Sequence, residues 1–227
     1  MVNNINLFFK KISREQYDDL KGFGFWFLAL GIIVQLITYY LTESSILSYM
    51  CGCCGVFSVV LCSERKISFY VFGFLQLFTY VILCIQQRLY GEIAENIFYF
   101  VTMLYGIYHW SNNYDDASRE INTRGLGIWN NLLTLGFAAF GVFYMYQTLS
   151  LTDDSQPFMD AITTVPAFMA QILMTLRYRE SWFYWLIIDV GSIIMWSFVG
   201  DWCMVAQFVF WSINCIYGFY KWGIRKV

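Results

Sequence analysis

VFWSINCIYGFYKW, residues 209–222, is nearly the last thing this 227-residue chain encodes, and IFYFVTMLYGIYHW, residues 97–110, is a close copy of it half a chain earlier. Laid over each other without a gap, the two put Phe98 on Phe210, Tyr105 on Tyr217, Gly106 on Gly218, Tyr108 on Tyr220 and Trp110 on Trp222. Five identities over fourteen positions, with a shared YGxYxW block, point to an internal repeat. A period of roughly 110 residues is far too long for a solenoid unit, so each copy belongs to half a protein.

Composition says what kind of halves these are. The chain is 59% hydrophobic and 21% aromatic, with only 13% charged residues, about half the charge of a soluble domain. That is a membrane protein in contact with the lipid bilayer. A net charge of -2 leaves no basic footprint for nucleic acid. The seven cysteines lie mostly in apolar runs, where they behave as small hydrophobes. The N-terminal stretch MVNNINLFFKKISREQYDDLK has too short an apolar patch for a cleaved signal and reads as an amphipathic helix on the membrane face over residues 1–21.

Charged clusters cut the rest into eight apolar runs: 22–42, 46–62, 67–86, 93–110, 127–149, 160–176, 181–199 and 204–222, with a tail at 223–227. Each approaches the roughly 20 residues a spanning helix needs. The sixth is short and carries Pro166, which would kink it. The basic residues sort cleanly on this segmentation. With the N-terminus in the cytoplasm, all fourteen Lys and Arg lie inside except Arg88, as the positive-inside rule requires, and both termini are cytoplasmic.

The repeat fits the helix count. Residues 46–110 form one three-helix unit and 160–222 the other, joined by a single spanning helix at 127–149, with 22–42 added in front. A single linker helix makes the two units parallel, related by an axis along the membrane normal. KISFYVF at 66–72 lies over RESWFYW at 179–185 with a slightly different offset, placing Phe69 and Phe72 on Trp182 and Trp185, while Thr102 falls on Asn214.

Parallel three-helix repeats joined by one helix are the SWEET plan, which puts substrate near the bilayer midplane between the repeats. The motifs WFYW, with Trp182 and Trp185, and NCIY, with Asn214 and Tyr217, sit on the last two helices, and on them the chain resembles the PnuC family of bacterial nicotinamide riboside transporters from residue 46 onward. The resemblance implies an eight-helix, all-α protein of the bacterial inner membrane that imports nicotinamide riboside by facilitated diffusion. It implies no cofactor, a homo-oligomer with a trimer as the candidate state, and a cytoplasmic riboside kinase that traps the product. A SWEET-like carrier of another neutral solute, a sugar or nucleoside, is the alternative.

Residue spacing identifies candidate contacts independently. Trp182, Trp185 and Asp189 share one helix face at i, i+3 and i+7; Gln207, Trp211, Asn214 and Tyr217 form a second stripe; Glu92, Asn96 and Tyr99 form a third. Polar and ionisable groups within a membrane normally face a cavity or a partner. Indole faces attract a pyridinium, and Asn and Gln complement an amide and sugar hydroxyls. Six of these residues also have a plainer role open to them: an interfacial belt for Trp182 and Trp185, a helix-to-helix bond for Asn214 and Asp189, close packing at Tyr217, a solvated mouth for Glu92. The chain has no P-loop, no HExxH and no GxSxG, so neither ATP use nor enzymatic catalysis is expected of it.

Overall fold

The computed structural model describes residues 2–15, 22–87, 90–151 and 157–223. The expected tail, the residues around Arg88 and part of the expected N-terminal segment lie outside the described residues. Among those described there are nine α-helices and one small hairpin: α1 Val2–Ile12, α2 Phe23–Thr42, α3 Ile46–Ser63, α4 Phe69–Gln87, α5 Tyr90–Ser111, β1 Tyr114–Asp115, β2 Glu120–Ile121, α6 Ile128–Leu149, α7 Pro157–Thr175, α8 Ser181–Val199 and α9 Trp202–Gly223. Six of them, α2, α3, α4, α6, α8 and α9, are long and apolar enough to cross a membrane, and α7 contains a shorter apolar stretch, Ala161–Thr175. The chain is an all-helical, multi-pass membrane protein.

Helix ends differ from the hydropathy boundaries where capping chemistry takes over. The Ser45 hydroxyl accepts from the Ser48 amide to start α3. Asp201 accepts from the Met204 amide at 3.2 Å, so α9 begins two residues before its apolar run. Proline needs no amide partner at a first helical position, and α7 starts at Pro157, three residues earlier than expected. α7 continues through Pro166 as one helix. In the opposite sense, α4 starts late because the Glu15 carboxylate, just past α1, takes the amides of Ile67 (2.5 Å) and Ser68 (3.1 Å) from outside the helix.

Packing follows a pattern that exchanges α3, α4 and α5 with α7, α8 and α9. The middle helix of each set touches both its neighbours, α4 against α3 and α5, and α8 against α7 and α9. Across the sets, α3 packs on α9 and α5 packs on α7. α2 lies against α3 and α9, and α6 chiefly against α7.

Local details recur at a spacing of 112 residues. Arg65 and Arg177 end α3 and α7 in the left-handed region, at φ 61° and 66°, a conformation uncommon for a side chain of that size. The next residue's amide reaches back to Leu61 in one case (2.9 Å) and Leu173 in the other (2.8 Å). Trp222 Nε1 donates to the Cys62 carbonyl at the end of α3, and Trp110 Nε1 to the Met174 and Thr175 carbonyls at the end of α7. Gly218 admits the Trp182 ring and Gly106 admits the Tyr70 hydroxyl, each so closely that a Cβ would overlap its neighbour. By these contacts Tyr70, not Phe69, is the counterpart of Trp182. Side-chain type favoured the one-residue offset in the sequence, but glycine clearance and helix-end bonding fix it at the same spacing as the rest.

Residues 112–126, expected only as a connection, strap the two helix ends together. The Ile121 amide donates to the Arg65 carbonyl (2.9 Å) and the Arg124 amide to the Arg177 carbonyl (3.0 Å). Arg65 pairs with Glu120, and Thr123 Oγ1 donates to the Trp222 carbonyl (3.0 Å). Two carbonyls freed by left-handed helix ends thus find amides three residues apart on one extended segment.

Candidate functional site

Between the two helix sets lies a cavity of about 150 Å³, on a scale where one water needs about 10–15 Å³. It has room for a small organic molecule. Its end nearest the strap is closed by aromatic side chains: Trp110 and Trp222 are buried with ring centroids 5.7 Å apart, and Trp182 meets Trp222 edge-on at 5.4 Å.

Eight of the ten residues named from spacing line this cavity, and they come from three helices. α8 contributes Trp182, Trp185 and Asp189; α9 contributes Trp211 and Asn214; α5 contributes Glu92, Asn96 and Tyr99. The two tryptophans of WFYW differ in setting. Trp182 is 3% exposed and wedged over Gly218, whereas Trp185 is half-buried and forms a wall with Tyr99, ring centroids 5.7 Å apart at 59°. Trp211 stands edge-on to Phe208, and its indole N–H has no hydrogen-bond partner among the described residues.

The polar groups are held at specific depths. Asp189 is 1% exposed and accepts from the Cys215 thiol at 3.2 Å. Trp196 Nε1 donates to the Tyr80 hydroxyl (3.2 Å), which donates to Glu92 (2.9 Å). Tyr99 donates to Glu95 (3.2 Å), and Asn96 folds back onto the Glu92 carbonyl (2.6 Å). Asn214 bridges α9 to α3, accepting from Ser63 Oγ (3.2 Å) and donating to the Val59 carbonyl (3.1 Å). Among the described residues, the lining includes no Lys, Arg or His.

Gln207 and Tyr217 lie off the cavity, which corrects the expectation that the whole α9 stripe faces it. Gln207 is fully buried over Gly55, on the α3 side, and neither amide atom has a partner among the described residues. Tyr217 donates to Glu64, which also takes Lys221 at 2.6 Å, near the end of the helix where α3 stops. Helical spacing fixes the angle at which a side chain leaves the axis, while the depth of the cavity is set by neighbouring helices.

The sequence reading missed Gln76 and Tyr80 on α4, Gln171 and Thr175 on α7, Ser192 on α8, and the inward position of Glu95. Gln76 and Tyr80 are four apart, a helix-face signal as good as those used, but they sit among so many aromatics that their polarity does not stand out. Gln171 is the single strongly polar residue in the described interior of α7, and that was the available signal.

A family model described as nicotinamide mononucleotide transporter matches residues 45–223. The nicotinamide riboside transporter PnuC of Haemophilus influenzae is 29% identical over 215 residues, covering 93% of this chain and 94% of that protein. PnuC of Neisseria mucosa is 25% identical over 221 residues, covering 92% and 84%. PnuC of Escherichia coli is 26% identical over 193 residues, covering 74% and 81%. A solved structure described as the crystal structure of the vitamin B3 transporter PnuC superposes with a TM-score of 0.78 at 24% identity, covering 89% of this chain and 91% of that one, a likeness of fold. A transporter family rather than an enzyme family thus accounts for both the cavity and the helices around it: the chain belongs to the nicotinamide mononucleotide transporter family, alongside the PnuC proteins.

Proposed function

We propose that this protein carries nicotinamide riboside across the bacterial inner membrane through the cavity between α3–α5 and α7–α9. The observation that carries the choice of substrate is the lining itself: aromatic walls at Trp185 and Tyr99, the carboxylates of Asp189, Glu92 and Glu95, and no basic side chain among the described lining residues. The riboside is a flat pyridinium with an amide and a ribose. Indole and phenol faces attract such a cation, by about 0.5–2 kcal/mol depending on desolvation. The mononucleotide adds a phosphate, and a desolvated phosphate beside carboxylates without a cation is strongly disfavoured. The riboside therefore fits this lining and the mononucleotide does not.

The reading extends to topology. The pairing of α3 with α9 and α5 with α7, and the features repeating every 112 residues, support two parallel SWEET-like units over 46–110 and 160–222, with α6 as linker and α2 added in front. In this arrangement α2 to α9 are eight spans, α1 lies on the membrane face, and the basic end with the strap faces the cytoplasm together with both termini. Transport is passive, and a cytoplasmic kinase retains the riboside by adding a phosphate that the cavity does not accept. The whole unit forms a homo-oligomer, a trimer on the family resemblance.

Titrating the purified protein with nicotinamide riboside, the mononucleotide and a simple sugar, read by tryptophan fluorescence, tests this. The riboside is expected to bind more tightly than the other two by about tenfold or more, since each tenfold is 1.4 kcal/mol. A mononucleotide that binds as well as the riboside would overturn the argument from the lining.

A further inference from the structure

Thr102 and Gln171 make the contact across α5 and α7 that Asn214 makes across α9 and α3, but they leave a different group facing the cavity. Thr102 occupies the place corresponding to Asn214 in the earlier helix set. Its hydroxyl carries one proton, and that proton is turned to its own helix, toward the Phe98 carbonyl at 2.8 Å and the Tyr99 carbonyl at 3.1 Å. A hydroxyl so committed can only accept from a further partner. Gln171 Nε2 lies 2.9 Å from it, so the amide nitrogen must be the end that points to Thr102. The orientation of the Gln171 amide follows from this bond. Its carbonyl is turned away from Thr102, and neither that oxygen nor the second N–H makes another hydrogen bond among the described residues.

Gln171 is 8% exposed and lines the cavity. A buried amide in an apolar setting with only one of its hydrogen bonds made is costly unless something enters to use the rest. Asn214 is in a different condition: its amide nitrogen donates to the Val59 carbonyl, and its oxygen shares the Ser63 hydroxyl proton with the Val60 carbonyl, so both ends of the amide are engaged by α3. What Gln171 has left is one acceptor and one donor on the same planar group, the complement of a primary amide. It also sits one helical turn along from the Tyr99–Trp185 wall, since its anchor Thr102 follows Tyr99 by three residues.

From these placements we propose that Gln171, oriented by Thr102, pairs with the carboxamide of the substrate and selects for it, with Thr102 as the positioning residue and Asn214 primarily a tether between helices. The assignment rests on the reading of the cavity as a nicotinamide riboside site. The pyridinium ring lies against the aromatic wall, and the carboxamide, coplanar with the ring, reaches the free edge of Gln171.

Calorimetric titration with two ligands decides the matter: nicotinamide riboside, and the same N-ribosylpyridinium without the carboxamide. The unaltered protein is expected to prefer the first by about tenfold, the scale of one well-made buried hydrogen-bonded pair. Gln171→Met, close in length and volume, lowers affinity for nicotinamide riboside about tenfold and leaves the ligand without a carboxamide unchanged, so the preference collapses. Thr102→Val keeps the shape, frees the glutamine to rotate, and reduces the preference in part. Equal losses for both ligands, or no loss for either, would overturn the proposal. Should Gln171→Met fail to fold, the same comparison on Thr102→Val decides it. If the unaltered protein binds neither ligand, the substrate reading fails and this assignment with it; if it binds both equally, the assignment alone fails.

Discussion

Replacing the two tryptophans of WFYW one at a time should give opposite phenotypes, although spacing places them on one face. Trp185 is half-buried and walls the cavity with Tyr99. Trp185→Ala removes one aromatic face from the substrate: a cation–aromatic contact of about 0.5–2 kcal/mol corresponds to roughly twofold to thirtyfold in affinity, and lost contact area adds to it, so about tenfold or more is expected. Trp182 is buried over Gly218 and against Trp222. Truncating it opens a cavity under the aromatic closure, a change that typically costs about 3–5 kcal/mol of stability. Nicotinamide riboside affinity by calorimetry and thermal unfolding of the same preparations separate the two effects. Trp185→Ala should lose affinity with a modest change in midpoint, Trp182→Ala should lose midpoint first, and Trp185→Phe should recover most of the affinity. Unchanged riboside affinity in a folded Trp185→Ala protein would refute the aromatic-wall argument and assign both tryptophans to packing.

In liposomes without a kinase, labelled riboside should equilibrate and not accumulate, because an uncoupled carrier cannot shift an equilibrium; accumulation that follows an imposed proton or sodium gradient would point instead to a coupled role for Asp189. Asn214→Ala removes the side-chain bond to the Val59 carbonyl that ties α9 to α3 and should cost about 1–3 kcal/mol in stability, seen as a lower unfolding midpoint, while the same change at Thr102 should cost less stability and act on ligand preference. The two carboxyls that seat α1 titrate in opposite senses. The hydrogen bond from Lys11 holds Asp116 below the usual carboxylate range, so its contribution is present above that range and is lost as pH falls through its lowered value; burial pushes Glu15 up, so its contribution weakens as pH rises from the usual value through its raised one. Hydrogen-exchange protection of the α1 amides, taken relative to the intrinsic exchange rate at each pH, should therefore be greatest in mild acid, and Glu15→Gln should remove the weakening on the alkaline side.

Hydropathy and charge in the sequence were enough to give the membrane class and to match each expected apolar run to one helix, with ends that differ by up to three residues, because removing backbone polar groups from water leaves few alternatives to a helix. The self-similar block at 97–110 and 209–222 was likewise legible, since Gly106, Gly218, Trp110 and Trp222 are constrained by close approach and by helix-end carbonyls in both places. Helical spacing identified the faces of α5, α8 and α9 that reach the cavity, as an angle around an axis is a local property. Depth along that axis is not local. Gln207 is covered by α3 at Gly55, and Tyr217 is drawn to Glu64 and away from the cavity, outcomes that depend on helices distant in the chain. The same holds for the strap over residues 112–126, whose amides are matched to the carbonyls of Arg65 and Arg177 only once both helix ends lie side by side. The free edge of Gln171 is the clearest case, because a single hydroxyl proton on Thr102, committed to its own helix, decides which way a glutamine on another helix must point.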